Sequence, residues 1–142
     1  MMVSTKGRYA LRVMLDLAEN QTDGYIPLRD IAKRQEISEK YLETILPALI
    51  RSNYLEGLRG KGGGYRLSRA PESYTVGSIL KLLENSLAPV SCLEYAQNQC
   101  SRAAACKTLP MWEALNKMVD DYFEGITLAD LCGDREQMDF VI

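Results

Sequence analysis

Tyr54-Leu55-Glu56-Gly57-Leu58-Arg59-Gly60-Lys61-Gly62-Gly63-Gly64-Tyr65-Arg66-Leu67 decides how this chain folds. Tyr54–Leu58 reads as one strand and Tyr65–Leu67 as its returning partner, with Arg59–Gly64 between them as a tight, exposed loop. Ordinary hairpin turns rarely need the four glycines that fall within residues 60–64. Glycine lets one backbone pass close to another, and Arg59 and Lys61 make this tip positive. The loop lacks the Gly-x-x-x-x-Gly-Lys-Ser/Thr order of a nucleotide loop, so it does not read as an ATP site.

Upstream of the hairpin the periodicity is helical. Ala10, Val13, Met14 and Leu17 recur at helical spacing, which predicts a first helix from about Thr5 to Ala18. After the polar turn Asn20–Gly24, Pro27 suits the first turn of a short helix through about Lys33. Ser38 is a good cap for a third helix, with Leu42, Ile45, Leu46 and Leu49 as its buried stripe. Pro47 removes an amide bond to residue 43, which predicts a bend or an early weakening there. Asn53 is placed to end that helix, since asparagine tolerates the left-handed conformation. Three helices followed by a basic-tipped hairpin is the order of a winged helix-turn-helix. The fold class expected is mainly α with a small β-hairpin wing.

Downstream, Pro71 marks the exit from the wing. Thr75 caps a helix carrying Val76, Ile79, Leu80 and Leu83 and ending near Asn85. Residues 86–105 have little periodicity. Pro110 can start a long C-terminal helix with Trp112, Leu115, Val119 and Tyr122 along one side, broadened by Met111, Met118 and Phe123. That face is wider than a small hairpin domain needs, and it reads as a dimerisation helix; the plainer alternative is a helix folded back on its own core. Gly125 ends it, Thr127–Leu131 reads as a last short turn, and the tail after Cys132 as loose. The division expected is a DNA-binding domain at 1–70, a connecting helix, cysteine segment and dimerisation helix at 71–135, and a tail at 136–142.

A formal net charge of −2 argues against nucleic acid only until it is divided. Residues 1–70 carry 12 Lys/Arg against 8 Asp/Glu, while residues 71–142 carry 5 against 11. Affinity for DNA follows the local patch, because counterions are released where phosphates are touched. A small basic interface is strengthened by doubling, so a homodimer on double-stranded DNA fits. Lys6 and Arg8, with Arg12, add positive charge at the start of the first helix. On the third helix Lys40 and Tyr41 suit phosphates, while Glu43 and Thr44 can reach base edges. Arg59 can enter a minor groove. A solvated helix face with a core tyrosine is the bland reading of the third-helix residues.

No stretch approaches the roughly 18 uncharged apolar residues of a membrane span, and the first residues lack an apolar export segment. A cytoplasmic protein is expected, its four cysteines being thiols or metal ligands rather than disulfides. The chain has no histidine, no nucleophile motif and no paired carboxylates in a credible cleft, which argues against an enzyme and any small-molecule substrate. Glu36, Glu39 and Glu43 read as a solvated helix face. Cys92, Cys100 and Cys106 fall in one short segment, separated by seven and five residues. Soft thiolates suit an iron–sulfur cluster, zinc or copper, but the short gap of a zinc knuckle is missing. Metal ligands, redox-active thiols and incidental thiols all remain open on spacing alone.

Three segments together carry a specific resemblance: Ser4-Thr5-Lys6-Gly7-Arg8-Tyr9-Ala10, Ser38-Glu39-Lys40-Tyr41-Leu42-Glu43 and Arg59-Gly60-Lys61-Gly62-Gly63-Gly64-Tyr65. They resemble the hallmark segments of the Rrf2 family of bacterial transcription regulators, and the likeness spans about residues 2–131. It implies a homodimeric winged-helix regulator with DNA contacts on the third helix and the wing. On matched positions these are Ser38, Lys40, Tyr41, Thr44 and Arg59, and the wing adds Lys61 and Gly62. The resemblance also implies a cluster on Cys92, Cys100 and Cys106, [2Fe-2S] before [4Fe-4S]. Two departures stand against it: the first cysteine gap is two residues longer than the family's five, and Leu109 occupies the place of the histidine some members use. A fourth ligand would then be Glu94, Glu113, Cys132, a group from the partner subunit or an external molecule. The competing expectations are a cluster-free regulator controlled by its thiols or by a partner, and a protein-interaction module that binds no DNA.

Overall fold

Ser4 opens the first helix, α1 (Thr5–Glu19), by accepting the Gly7 amide on its Oγ at 3.1 Å. In the computed structural model, which describes residues 3–140, there follow α2 (Leu28–Gln35), α3 (Glu39–Arg51), β1 (Leu55–Leu58), β2 (Gly64–Leu67), α4 (Val76–Leu83), α5 (Leu109–Glu124) and α6 (Leu128–Leu131). The fold is mainly α with a small β-hairpin wing and a long C-terminal helix, a winged helix-turn-helix as expected. Of the tail expected at 136–142, the last two residues lie outside the described residues. No described helix is long and apolar enough to cross a membrane.

Several boundaries differ from the sequence reading for local reasons. Pro27 is the N-cap of α2 rather than a residue inside its first turn, and α2 runs two residues past Lys33 before Glu36 turns left-handed at φ 54°. Pro47 does not stop α3, which continues to Arg51. Only one amide is missing there, and the neighbouring Leu46 and Leu49 are fully buried, so packing holds the turn. Asn53 adopts the left-handed conformation as expected, at φ 58°. Its amide reaches Ile50 O, and that of Tyr54 reaches Leu49 O, which closes the helix end on both carbonyls. α4 ends at Leu83, short of Asn85, because Glu84 is extended. Its carboxylate accepts from the amide (2.8 Å) and the hydroxyl (2.7 Å) of Ser4. A side chain at Gly7 would overlap that carboxylate and displace it from its bonds to Ser4.

The core lies between α1, α2, α3, β1 and α4, and includes Val13, Met14, Ile31, Leu42, Ile45, Leu49 and Ile79. Two polar centres within it were not legible in the sequence. Asp16, 2% exposed, accepts from Arg34 Nε (2.9 Å) and Nη2 (2.7 Å) and from Gln35 Nε2 (3.0 Å). Those bonds tie α2 to α1, and the hydrogen bond to Asp16 raises the Arg34 pKa. Tyr74, wholly buried, accepts on its hydroxyl from the amides of Ser68 (3.1 Å) and Arg69 (3.0 Å) and donates to Tyr54 O (2.8 Å). The hydroxyl thus pins both ends of the wing.

The C-terminal part joins the winged part through main chain. Val76 N donates to Ile126 O (2.8 Å) and Leu128 N to Tyr74 O (2.9 Å), a bridge that pairs Thr75 with Thr127. Beside it Glu124 accepts from Thr75 Oγ1 (2.8 Å) and Lys81 Nζ (3.0 Å), and Asp120 takes a second bond from Lys81 (2.5 Å). These bonds hold α5 to α4. No residue of α5 is buried in the single chain. Met111 (55%), Leu115 (39%) and Met118 (61%) remain exposed, on the side expected to be apolar.

Candidate nucleic-acid interface

α3 begins with Ser38, whose Oγ accepts the Tyr41 amide at 3.1 Å and fixes the first turn. Lys40 and Thr44 are exposed there. The Thr44 hydroxyl donates to Tyr41 O at 2.6 Å, so toward a ligand it offers an acceptor lone pair and a methyl group, not a proton. Tyr41 is half-buried, its ring edge-on to Tyr9 at 5.5 Å. The bland expectation of a core-packed tyrosine therefore applies to its ring, which leaves only part of the residue for a phosphate.

Arg12, expected to add to the basic surface, is engaged elsewhere. It is half-buried, donates to Gln35 through both Nε and Nη2, and lies over the Tyr9 ring at 5.0 Å. Arg12 over Tyr9, and Tyr9 edge-on to Tyr41, link the end of α2 to α3, contacts that charge counting along the sequence misses. Lys6 and Arg8 stay exposed, with Arg8 donating to Thr5 Oγ1 at 3.1 Å.

The wing is held at its base. Ile26 N donates to Tyr65 O and Tyr65 N to Ile26 O, both at 2.8 Å, an antiparallel bridge that pairs the segment before α2 with β2. Gly64, at φ 147°, lies so close to Ile26 that a Cβ would overlap the Ile26 carbonyl. Beyond it the tip is open: Arg59, Lys61 and Gly62 are exposed, and nothing lies within 4 Å of where a Cβ would stand at Gly60 or Gly62. Among the described residues no side-chain hydrogen bond or ion pair holds Arg59, Lys61, Lys6 or Lys40. Arg59 shares one groove with Glu39 at the start of α3, so recognition helix and wing meet along a single surface. Lys6 and Arg8 do not line it.

The cysteines do not assemble. Cys92 and Cys106 are half-buried, Cys100 is exposed, and all are free thiols. Each follows its own local turn. Cys92 lies in a 3-10 turn at Ser91–Leu93, the Cys100 amide donates to Asn98 Oδ1 (2.9 Å), and Cys106 Sγ stands 3.4 Å from Thr108 Oγ1 at the entry to α5. Among the described residues no group of three His, Cys, Asp or Glu side chains can hold a metal ion. The iron–sulfur cluster expected on Cys92, Cys100 and Cys106, as [2Fe-2S] or [4Fe-4S], is overturned by this arrangement. The fourth ligands considered, Glu94, Glu113 and Cys132, fall with it.

Two thiols differ in acidity instead. The hydrogen bond with Thr108 lowers the Cys106 pKa, helped by the nearby backbone amides and Arg102. Burial raises that of Cys132, whose Sγ donates to Leu128 O at 3.4 Å. Near neutral pH a larger fraction of Cys106 is thiolate, the nucleophilic form. Iodoacetamide labelling followed by peptide mass spectrometry is expected to modify Cys106 well before Cys132; equal rates would contradict the assignment.

The Rrf2 family model, described as "Iron-dependent Transcriptional regulator", matches residues 3–134. The transcriptional regulator IscR of Aliivibrio salmonicida is 35% identical over 136 residues, 96% of this chain and 80% of that protein. Among solved structures, T. potens IscR superposes with a TM-score of 0.75 at 33% identity, covering 98% of this chain and 93% of the other. The oxidized form of CymR from Staphylococcus aureus gives 0.74 at 29% identity, covering 94% and 99%. With its three helices, its bridged glycine wing and this match over nearly its whole length, the chain belongs to the Rrf2 family of DNA-binding transcriptional regulators, which are transcription factors and not enzymes.

Proposed function

We propose that this chain is a homodimeric, sequence-specific regulator that grips double-stranded DNA with α3 and the wing of each subunit and is controlled by its thiols without a metal cluster. The observation that carries the DNA reading is the wing. Arg59 and Lys61 stand exposed and unpaired among the described residues, on a hairpin whose base is fixed by Ile26 and Gly64. A positively charged tip on an anchored base, next to a capped recognition helix, suits phosphates and a groove edge. The uncovered apolar side of α5 supports pairing of two copies through that helix.

Thiol control is supported by the free cysteines lying between α4 and α5, with Cys106 at the entry to α5. A covalent change at Cys106 would act on the start of α5 and thereby on the separation of the two recognition helices. The fold likeness to a CymR solved in an oxidized form points the same way.

The test is Arg59→Ala, measured by fluorescence anisotropy on a duplex selected by the wild-type protein from a randomised pool. It is expected to weaken binding by about tenfold or more while leaving the dimer mass unchanged. Unchanged affinity at physiological salt would remove the wing from the interface.

A further inference from the structure

We propose that Arg29, on the first turn of α2, contacts DNA: with Lys61 it forms a seat for a backbone phosphate beside the wing. This rests on the DNA-binding reading above and extends it to an element outside α1, α3 and the hairpin.

The seat follows from how the wing is fastened. The two-way bridge between Ile26 and Tyr65, with Gly64 against the Ile26 carbonyl, draws the start of α2 against the hairpin. Pro27 and Arg29 on one side and Gly60–Gly63 on the other then line a notch next to the tip. Lys61 and Tyr25 complete it. Arg29 also lines the adjoining groove that holds Arg59, so it borders both basic side chains' grooves. Two acidic groups are near. Glu39 lines that second groove, and Asp30 Oδ1 is 3.9 Å from Arg29 Nε. The Asp30 contact is long and both side chains are well exposed, Arg29 at 79%, so water screens it and the guanidinium remains available. The backbone at Gly60 and Gly62 has open space where side chains would otherwise stand. An anion can therefore approach the main chain with a cation on either side. A duplex phosphate is the fitting occupant because the notch continues the surface of α3 and the wing, and its two basic side chains match the negative backbone.

The test measures Kd against salt concentration for wild type, Arg29→Ala, Arg29→Lys and Arg59→Ala, on the selected duplex and on a scrambled one. Arg29→Ala is expected to weaken both duplexes by a similar factor, of the order of tenfold. The slope of log Kd against log salt should fall by about 0.9 per subunit, about 1.8 per dimer. Arg29→Lys should keep most of the slope, which a merely structural role would not require. An unchanged slope in Arg29→Ala beside a reduced one in Arg59→Ala overturns the Arg29 seat and leaves the DNA-binding reading intact. A loss confined to the selected duplex overturns it too, since that marks a base contact. If wild type binds neither duplex, the reading and the proposal fail together.

Discussion

Glutamate at both Leu115 and Met118 is expected to give a folded monomer whose affinity for the selected duplex is lower by more than about 100-fold. In the single chain these side chains are 39% and 61% exposed and contribute nothing to the core, so the substitutions leave the winged part undisturbed. Paired against a second α5, the same positions would place like charges in an apolar seam, where they are desolvated and repel. Each half of the protein would then bind its half-site alone and lose the effective concentration that the second half supplies. Sedimentation equilibrium at micromolar concentration reads the mass, and anisotropy reads the affinity. A variant that still sediments as a dimer would show that α5 is not the pairing surface. Unchanged helicity by circular dichroism guards against a trivial loss of fold.

Tyr74→Phe is expected to cost about 2–4 kcal/mol of stability. The phenol oxygen accepts two amides, from Ser68 and Arg69, and donates to Tyr54 O, all at a side chain with no exposed surface. Phenylalanine preserves the ring and its edge-on packing on Tyr54 at 5.3 Å but leaves two donors and an acceptor to find water. The Tm, compared at one fixed protein concentration, is expected to fall by roughly 5–15 °C. A fall of less than about 2 °C would mean that water already reaches this site or that the wing ends relax at little cost.

What the sequence revealed and what it hid divide along a physical line. α1, α3 and the wing were legible because their signals are local: Val13, Met14 and Leu17 at helical spacing, Ser38 before an apolar stripe, glycines crowded beside Arg59. The roles of Asp16, Arg12, Glu84 and Tyr74 were not, since each depends on a partner distant in sequence. Asp16 meets Arg34 18 residues on, and Glu84 meets Ser4 across 80. The cysteine segment failed for a related reason. Spacing counts residues between thiols, but without periodicity it does not fix where an irregular stretch places them, and Cys92, Cys100 and Cys106 each follow a separate turn. The signature segment at residues 4–10 had a different surprise. Ser4 and Gly7 serve packing, through the helix cap and the close approach of Glu84, while Lys6 and Arg8 are the exposed pair.

Two copies of this chain are expected to clamp one duplex, each by its recognition helix and wing. The most direct measurement is the mass of the complex on the selected duplex by sedimentation velocity, combined with hydroxyl-radical footprinting. Two chains per duplex are expected, with two protected half-sites related by a twofold axis, about one helical turn apart or a multiple of it. One chain per duplex, or no protection even at low ionic strength, would contradict it.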